Sequence, residues 1–118
     1  MVEQERRAFP RIPDEGLSLK VCLGDYDVIT HTLNVSASGI YCKIEKEVPL
    51  MSRVRLVLML PDDKAIEVDG VIVREHPVII DGVIRHYDVA IFFEDLSQKN
   101  RDAISNYISK RGRDASGN

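Results

Sequence analysis

The chain predicts a mainly β fold: a six-stranded antiparallel β-barrel with a flexible N-terminal arm and a C-terminal α-helix. Three observations carry that expectation. Between residues 17 and 93 lie six strand-like runs separated by short connections, three of which alternate apolar and polar residues with a period of two. After Leu96 the apolar period becomes that of a helix. Before Gly16 there is no apolar period. A barrel suits six antiparallel strands because closure removes the exposed edges of an open sheet.

Residues 1–15 contain Pro10 and Pro13, which lock φ and disfavour a helix, so this segment reads as an extended or flexible arm. From Leu17 to Leu23, Leu17, Leu19, Val21 and Leu23 share one face, and Ser18, Lys20 and Cys22 the other. That is a half-buried strand, closed by a Gly24-Asp25 turn. Tyr26 to Leu33 is rich in β-branched residues and reads as a second strand. Small polar residues from Asn34 to Gly39 interrupt it. In the third run, Ile40 to Glu45, Ile40, Cys42 and Ile44 face one way, Tyr41, Lys43 and Glu45 the other.

Arg53 to Leu60 alternates with Val54, Leu56, Leu58 and Leu60 on one face. Pro61-Asp62-Asp63-Lys64 is a hairpin connection. Ala65 to Glu75 is the fifth strand, with Gly70 marking a bulge or tight bend. Asp81-Gly82 is a second hairpin signal, and Val83 to Phe93 closes the β part. Ser97 is the predicted helix N-cap; Ile104, Tyr107 and Ile108 form the apolar stripe, and Gly112 ends it. The expected organisation is an arm at 1–15, a barrel with its helix at 16–112, and a disordered tail at 113–118.

The chain of 118 residues has the length of one domain with a workable core. No run of about 18 apolar residues is present, so direct membrane insertion is not expected. The first residues lack the apolar stretch of a secretion signal, which points to the cytoplasm. Cys22 and Cys42 do not form a C-x-x-C and read as small apolar residues. The net charge of −3 disfavours a domain built to grip a nucleic-acid backbone. Positive charge is local, in the arm and at Lys110, Arg111 and Arg113. An arginine cluster on an acidic body suits a small anion better than a polymer.

Two short segments stand out. Arg6-Arg7-Ala8-Phe9-Pro10-Arg11 contains R-x-x-x-R, and Asn34-Val35-Ser36-Ala37-Ser38-Gly39 reads N-x-S-x-x-G. Guanidinium groups are planar forks suited to guanine edges and phosphates. Phe9 between the arginines can pin the arm to the barrel. In the turn, Asn34 Oδ1 can accept from guanine N1–H or N2–H, Ser36 Oγ can reach a phosphate or base, and Gly39 permits close approach. Catalysis has little support: His31, His76 and His86 have no metal-ligand spacing, and neither G-x-x-x-x-G-K-[ST] nor G-x-S-x-G is present.

With both motifs in this order before a closing strand, Tyr87-Asp88-Val89-Ala90-Ile91-Phe92-Phe93, and a helix, nearly the whole chain resembles a PilZ domain. That family is the bacterial receptor module for cyclic di-GMP. The resemblance implies a ligand site at Arg6, Arg7, Arg11, Asn34, Ser36 and Gly39, no enzymatic activity, no cofactor, and signalling to an unidentified downstream protein. It also implies that Arg6, directly before the motif, favours an intercalated dimer of the dinucleotide. Where this chain has Ala90 the family often has glycine. The rival reading is an interaction barrel of the same fold that binds no nucleotide. A single-strand RNA-binding barrel would need exposed aromatics beside basic residues, and aromatics are 6% of this chain, with no tryptophan.

Overall fold

The computed structural model describes residues 16–61 and 64–115. Six strands form a closed antiparallel barrel: β1 Ser18–Cys22, β2 Asp27–Val35, β3 Gly39–Ile44, β4 Arg53–Met59, β5 Ala65–Ile80 and β6 Val83–Glu94. One helix, α1, follows at Gln98–Ala115. Around the barrel the order is β1-β2-β3-β6-β5-β4, and β4 closes against β1. The connection from β3 to β4 therefore crosses the barrel end, and Met51 N–H donates to Ile72 O at 2.7 Å on the way.

The alternating residues are the core. Leu19, Val21, Ile40, Cys42, Ile44, Val54, Leu56 and Leu58 point inward and are buried, as the period of two predicts. Ile104, Tyr107 and Ile108 of α1 complete the same apolar cluster. Ser97 caps the helix, its Oγ accepting from Asn100 N–H at 3.1 Å. Asn100 Nδ2 in turn donates to Glu67 O at 3.2 Å and ties the first helical turn to β5. At the Asp81-Gly82 hairpin both residues have positive φ, 54° and 78°, as a type I′ turn requires.

Three local expectations are corrected. Gly70 is not a bulge: it pairs in register with both Val54 and Phe93. Its role is space, because a Cβ there would lie 2.6 Å from Ile91 Cγ2. β5 does not stop at Glu75 but runs to Ile80 through Pro77. Proline is tolerated because β4 pairs with β5 only up to Val71, so beyond it β5 lacks its second neighbour. Finally, α1 continues past Gly112 to Ala115 and takes in the start of the expected tail. A glycine stops a helix only where the chain reverses into the left-handed region; otherwise it costs about 1 kcal/mol.

Burial pushes the Cys42 thiol up to about 12, with the Asp88 carboxylate adding to it, from an ordinary 9.0. The folded state therefore holds this proton longer than the unfolded chain does. The corresponding stability is complete below pH 9.0 and is lost as pH rises from there towards 12. Melting temperature should fall along that window, and Cys42→Ala, although less stable at neutral pH, should show a shallower alkaline limb.

Candidate functional site

The site is built by two irregularities in otherwise regular strands. β2 and β3 pair as Thr32↔Cys42 and then Asn34↔Tyr41, so Leu33 is an extra residue on β2. Strict alternation would turn Asn34 inward beside Thr32. The bulge turns it outward, level with Tyr41 on the barrel exterior. On β5 the register moves from Ile72↔Ile91 to Arg74↔Ala90, which makes Val73 a second extra residue. Val73 is consequently exposed on the same face.

The turn between β2 and β3 is organised by Ser36. Its backbone N–H donates to Gly39 O at 2.9 Å. Its Oγ accepts from Ser38 N–H and Gly39 N–H, each at 3.2 Å, and lies 3.3 Å from Gly39 O as a donor. The hydroxyl is thus engaged by the turn itself. Phe93 N–H donates to Ser38 O at 2.9 Å and fastens the turn to β6. Gly39 pairs with Phe92, and a Cβ at Gly39 would fall on the carbonyl oxygen of Ile91. The close approach it permits is that of the β6 backbone.

These elements enclose a shallow groove of about 140 Å³, lined chiefly by Asn34, Ser36, Gly39, Tyr41, Ala90 and Phe92. Phe92 is 53% exposed although it is aromatic. Among the described residues, no acidic side chain lines the groove. Aromatic walls beside an outward amide suit a planar ligand with hydrogen-bonding edges. The volume is below the roughly 300–1,000 Å³ of a typical small-molecule pocket, so it can hold only part of such a ligand.

The first described residues are tied close to this face. Thr32, buried and polar, accepts from Leu17 N–H through Oγ1 at 2.8 Å, and Thr32 N–H donates to Leu17 O at 3.0 Å. Leu17 is therefore fastened two residues along β2 from Asn34. Arg6, Arg7 and Arg11 lie outside the described residues. Asn34, Ser36 and Gly39 are brought together on one face. Sequence reasoning missed Thr32, Tyr41, Val73 and Phe92. A usable signal was present for Tyr41 and Phe92, since each alternates with buried neighbours on a strand flanking the motif and must point outward.

A family model described as PilZ domain matches residues 5–110, and the chain belongs to that family. Comparison with curated proteins finds no match. Among solved structures, the PilZ domain of YcgR from Escherichia coli with c-di-GMP superposes with a TM-score of 0.70 at 17% identity, over 93% of this chain and 94% of that one. Bacillus subtilis inhibitor of motility, MotI/DgrA, gives 0.78 at 19% identity, over 92% of this chain and 52% of that one. The K. pneumonia MrkH–c-di-GMP complex gives 0.79 at 15% identity, over 94% and 54%. This chain thus spans about half the length of the MotI and MrkH structures. At these identities the likeness is one of fold.

Proposed function

We propose that this chain is a cytoplasmic receptor for cyclic di-GMP, not an enzyme, which binds the dinucleotide between its N-terminal arm and the groove at Asn34–Gly39. The observation that carries the reading is the shared location. The N-x-S-x-x-G turn lines an outward groove that has no acidic side chain among the described residues, and Leu17, six residues after the last arginine of R-x-x-x-R, is fastened to Thr32 beside it. Family membership and the c-di-GMP complexes of YcgR and MrkH support it.

In this reading Asn34 accepts from guanine N1–H or N2–H, and Arg7 and Arg11 supply forks to guanine O6/N7 edges or to phosphate. Ser36 acts by holding the turn in shape, and Gly39 by letting β3 and β6 close behind it. The ligand neutralises the arginines, the arm orders across the barrel, and the altered surface is read by a downstream protein. Adjacent side chains of an extended chain point opposite ways, so Arg6 serves a second, intercalated nucleotide.

A second reading has one observation in its favour. At the tip of the β5–β6 ribbon Ile79, Ile80, Val83 and Ile84 are all about half exposed. Such a surface fits a protein contact, and an interaction barrel that binds no nucleotide would have use for it. Calorimetric titration with cyclic di-GMP separates the two. Saturable binding at two nucleotides per chain is the expected result, falling to one in Arg6→Leu with appreciable affinity kept. No heat at any concentration supports the interaction barrel, and one nucleotide per wild-type chain removes the role given to Arg6.

A further inference from the structure

On the other side of the Ser36–Gly39 turn lies a second groove, of about 500 Å³, between the turn and the start of α1. Ser38 and Phe92 form its near wall, Asp95 and Arg101 its far side. Phe92 also lines the first groove, so one aromatic ring stands between two adjacent concavities. The Phe93 N–H to Ser38 O bond holds that ridge in place.

The charged groups of the second groove are uncommitted. Among the described residues, the side chains of Asp95 and Arg101 make no ion pair or hydrogen bond, with each other or elsewhere. On the outer surface of β4, by contrast, Arg53 and Arg55 are both paired, to Glu94 and to Glu67 and Asp69. Asp95 sits at a φ of 49°, in the left-handed region that aspartate and asparagine tolerate better than most residues. An acidic side chain, a guanidinium and an exposed aromatic ring around one space form a particular recognition set. A carboxylate accepts two parallel N–H bonds from guanine N1 and N2, a guanidinium donates to O6 and N7, and the ring packs against the base. Adenine offers no such pair of donors to a carboxylate.

We infer that the groove between the Ser36–Gly39 turn and α1 is a second guanine subsite, in which Asp95 reads the N1–H/N2–H edge, Arg101 donates to the base or its phosphate, and Phe92 separates this base from the one at Asn34. The inference rests on the receptor reading above and adds to it the place of a second base. The first groove alone is too small for a dinucleotide, and the second supplies the missing volume next to it. The guanine belongs either to the other half of the same cyclic di-GMP or to a second molecule, and stoichiometry distinguishes these.

The test is a calorimetric comparison of cyclic di-GMP with cyclic di-IMP, which lacks only the N2 amino groups, on wild type, Asp95→Asn and Arg101→Ala, with Arg7→Ala as a control. Asparagine keeps the size of Asp95 and tolerates its φ, so folding is preserved, and matched thermal melts verify it. Asp95→Asn should weaken cyclic di-GMP about tenfold and shrink the penalty for cyclic di-IMP, because asparagine keeps one acceptor oxygen where the carboxylate had two and can no longer serve N1–H and N2–H together. Arg101→Ala should weaken both ligands alike. A lower affinity at unchanged stoichiometry places the second base in the same molecule; a drop in stoichiometry places it in a second one. If both variants bind cyclic di-GMP with wild-type affinity and stoichiometry while Arg7→Ala does not, the subsite is wrong and the receptor reading stands. If wild type binds no cyclic di-GMP, both fall together.

Discussion

Gly39→Ala should destabilise the ligand-free protein by roughly 2–4 kcal/mol, a fall of about 10 °C in Tm, and should also weaken nucleotide binding. The new Cβ would fall on the Ile91 carbonyl oxygen, with Phe92 Cα at 3.2 Å and Ile91 C at 3.3 Å. All three are backbone atoms of β6, which is paired with β3 from Gly39↔Phe92 to Ile44↔Tyr87. Nothing short of prying the strands apart at this end relieves the clash. That movement would carry Phe92 and the Ser36–Ser38 turn with it, and both line the groove. Gly70→Ala is the internal comparison. Its nearest contact, 2.6 Å, is the tip of the Ile91 side chain, which can rotate away at lower cost. The expected order of stability is therefore wild type, then Gly70→Ala, then Gly39→Ala, measured by denaturant unfolding. A Gly39→Ala protein that melts with wild type would mean that the β3–β6 end yields freely, and the rigid groove would have to be abandoned.

This glycine shows what the sequence made legible and what it did not. Half-buried antiparallel strands write their inward face into the chain with a period of two, so the faces of β1, β3 and β4 could be read directly, down to Leu19, Ile40 and Leu56. The helix stripe and the Asp81-Gly82 turn are equally local signals. Gly39 was legible as a needed glycine, but not what it needs to avoid, since Ile91 is brought there only by barrel closure. Gly70 was misread for the same reason, its neighbours Ile91 and Leu56 lying on strands far along the chain.

Bulges are the intermediate case. The inward residues of β2 have even numbers through Thr32 and an odd number at Val35. That change of parity is the mark of the bulge that turns Asn34 outward, although Ile29, apolar yet exposed, blurs it in the sequence. The bulge at Val73 has no such mark, because the β5–β6 ribbon beyond it is largely exposed on both faces and alternation there says little. The motif reading of Ser36 shows the reverse limit. A serine in a polar turn is equally suited to a ligand and to the turn's own N–H groups, and only the folded geometry shows which has it.

Arg7→Ala and Arg11→Ala should each weaken cyclic di-GMP by about 1–3 kcal/mol, one to two decades in Kd, while leaving the ligand-free melting temperature unchanged. Reach sets the geometry. An extended chain spans at most about 3.6 Å per residue, so Arg11 stays within about 18 Å of Gly16 and Arg7 within about 32 Å. Both bounds take in a groove that begins two residues from Thr32, to which Leu17 is fastened. A guanidinium on a guanine edge makes two parallel bonds, and losing one residue forfeits both. Lysine separates the roles: where the contact is a point charge to phosphate, Arg→Lys retains most of the affinity, and where it is a planar fork on O6 and N7, Arg→Lys behaves like alanine. Ligand at 100 times Kd stabilises a folded receptor by about 2.7 kcal/mol, so the thermal shift of wild type should shrink in each variant by the amount calorimetry reports. Agreement of the two readouts would tie the arginines to ligand, not to folding. Full wild-type affinity in both alanine variants would remove the arm from the site and leave the groove at Asn34 without the cations that a dinucleotide's two phosphates require.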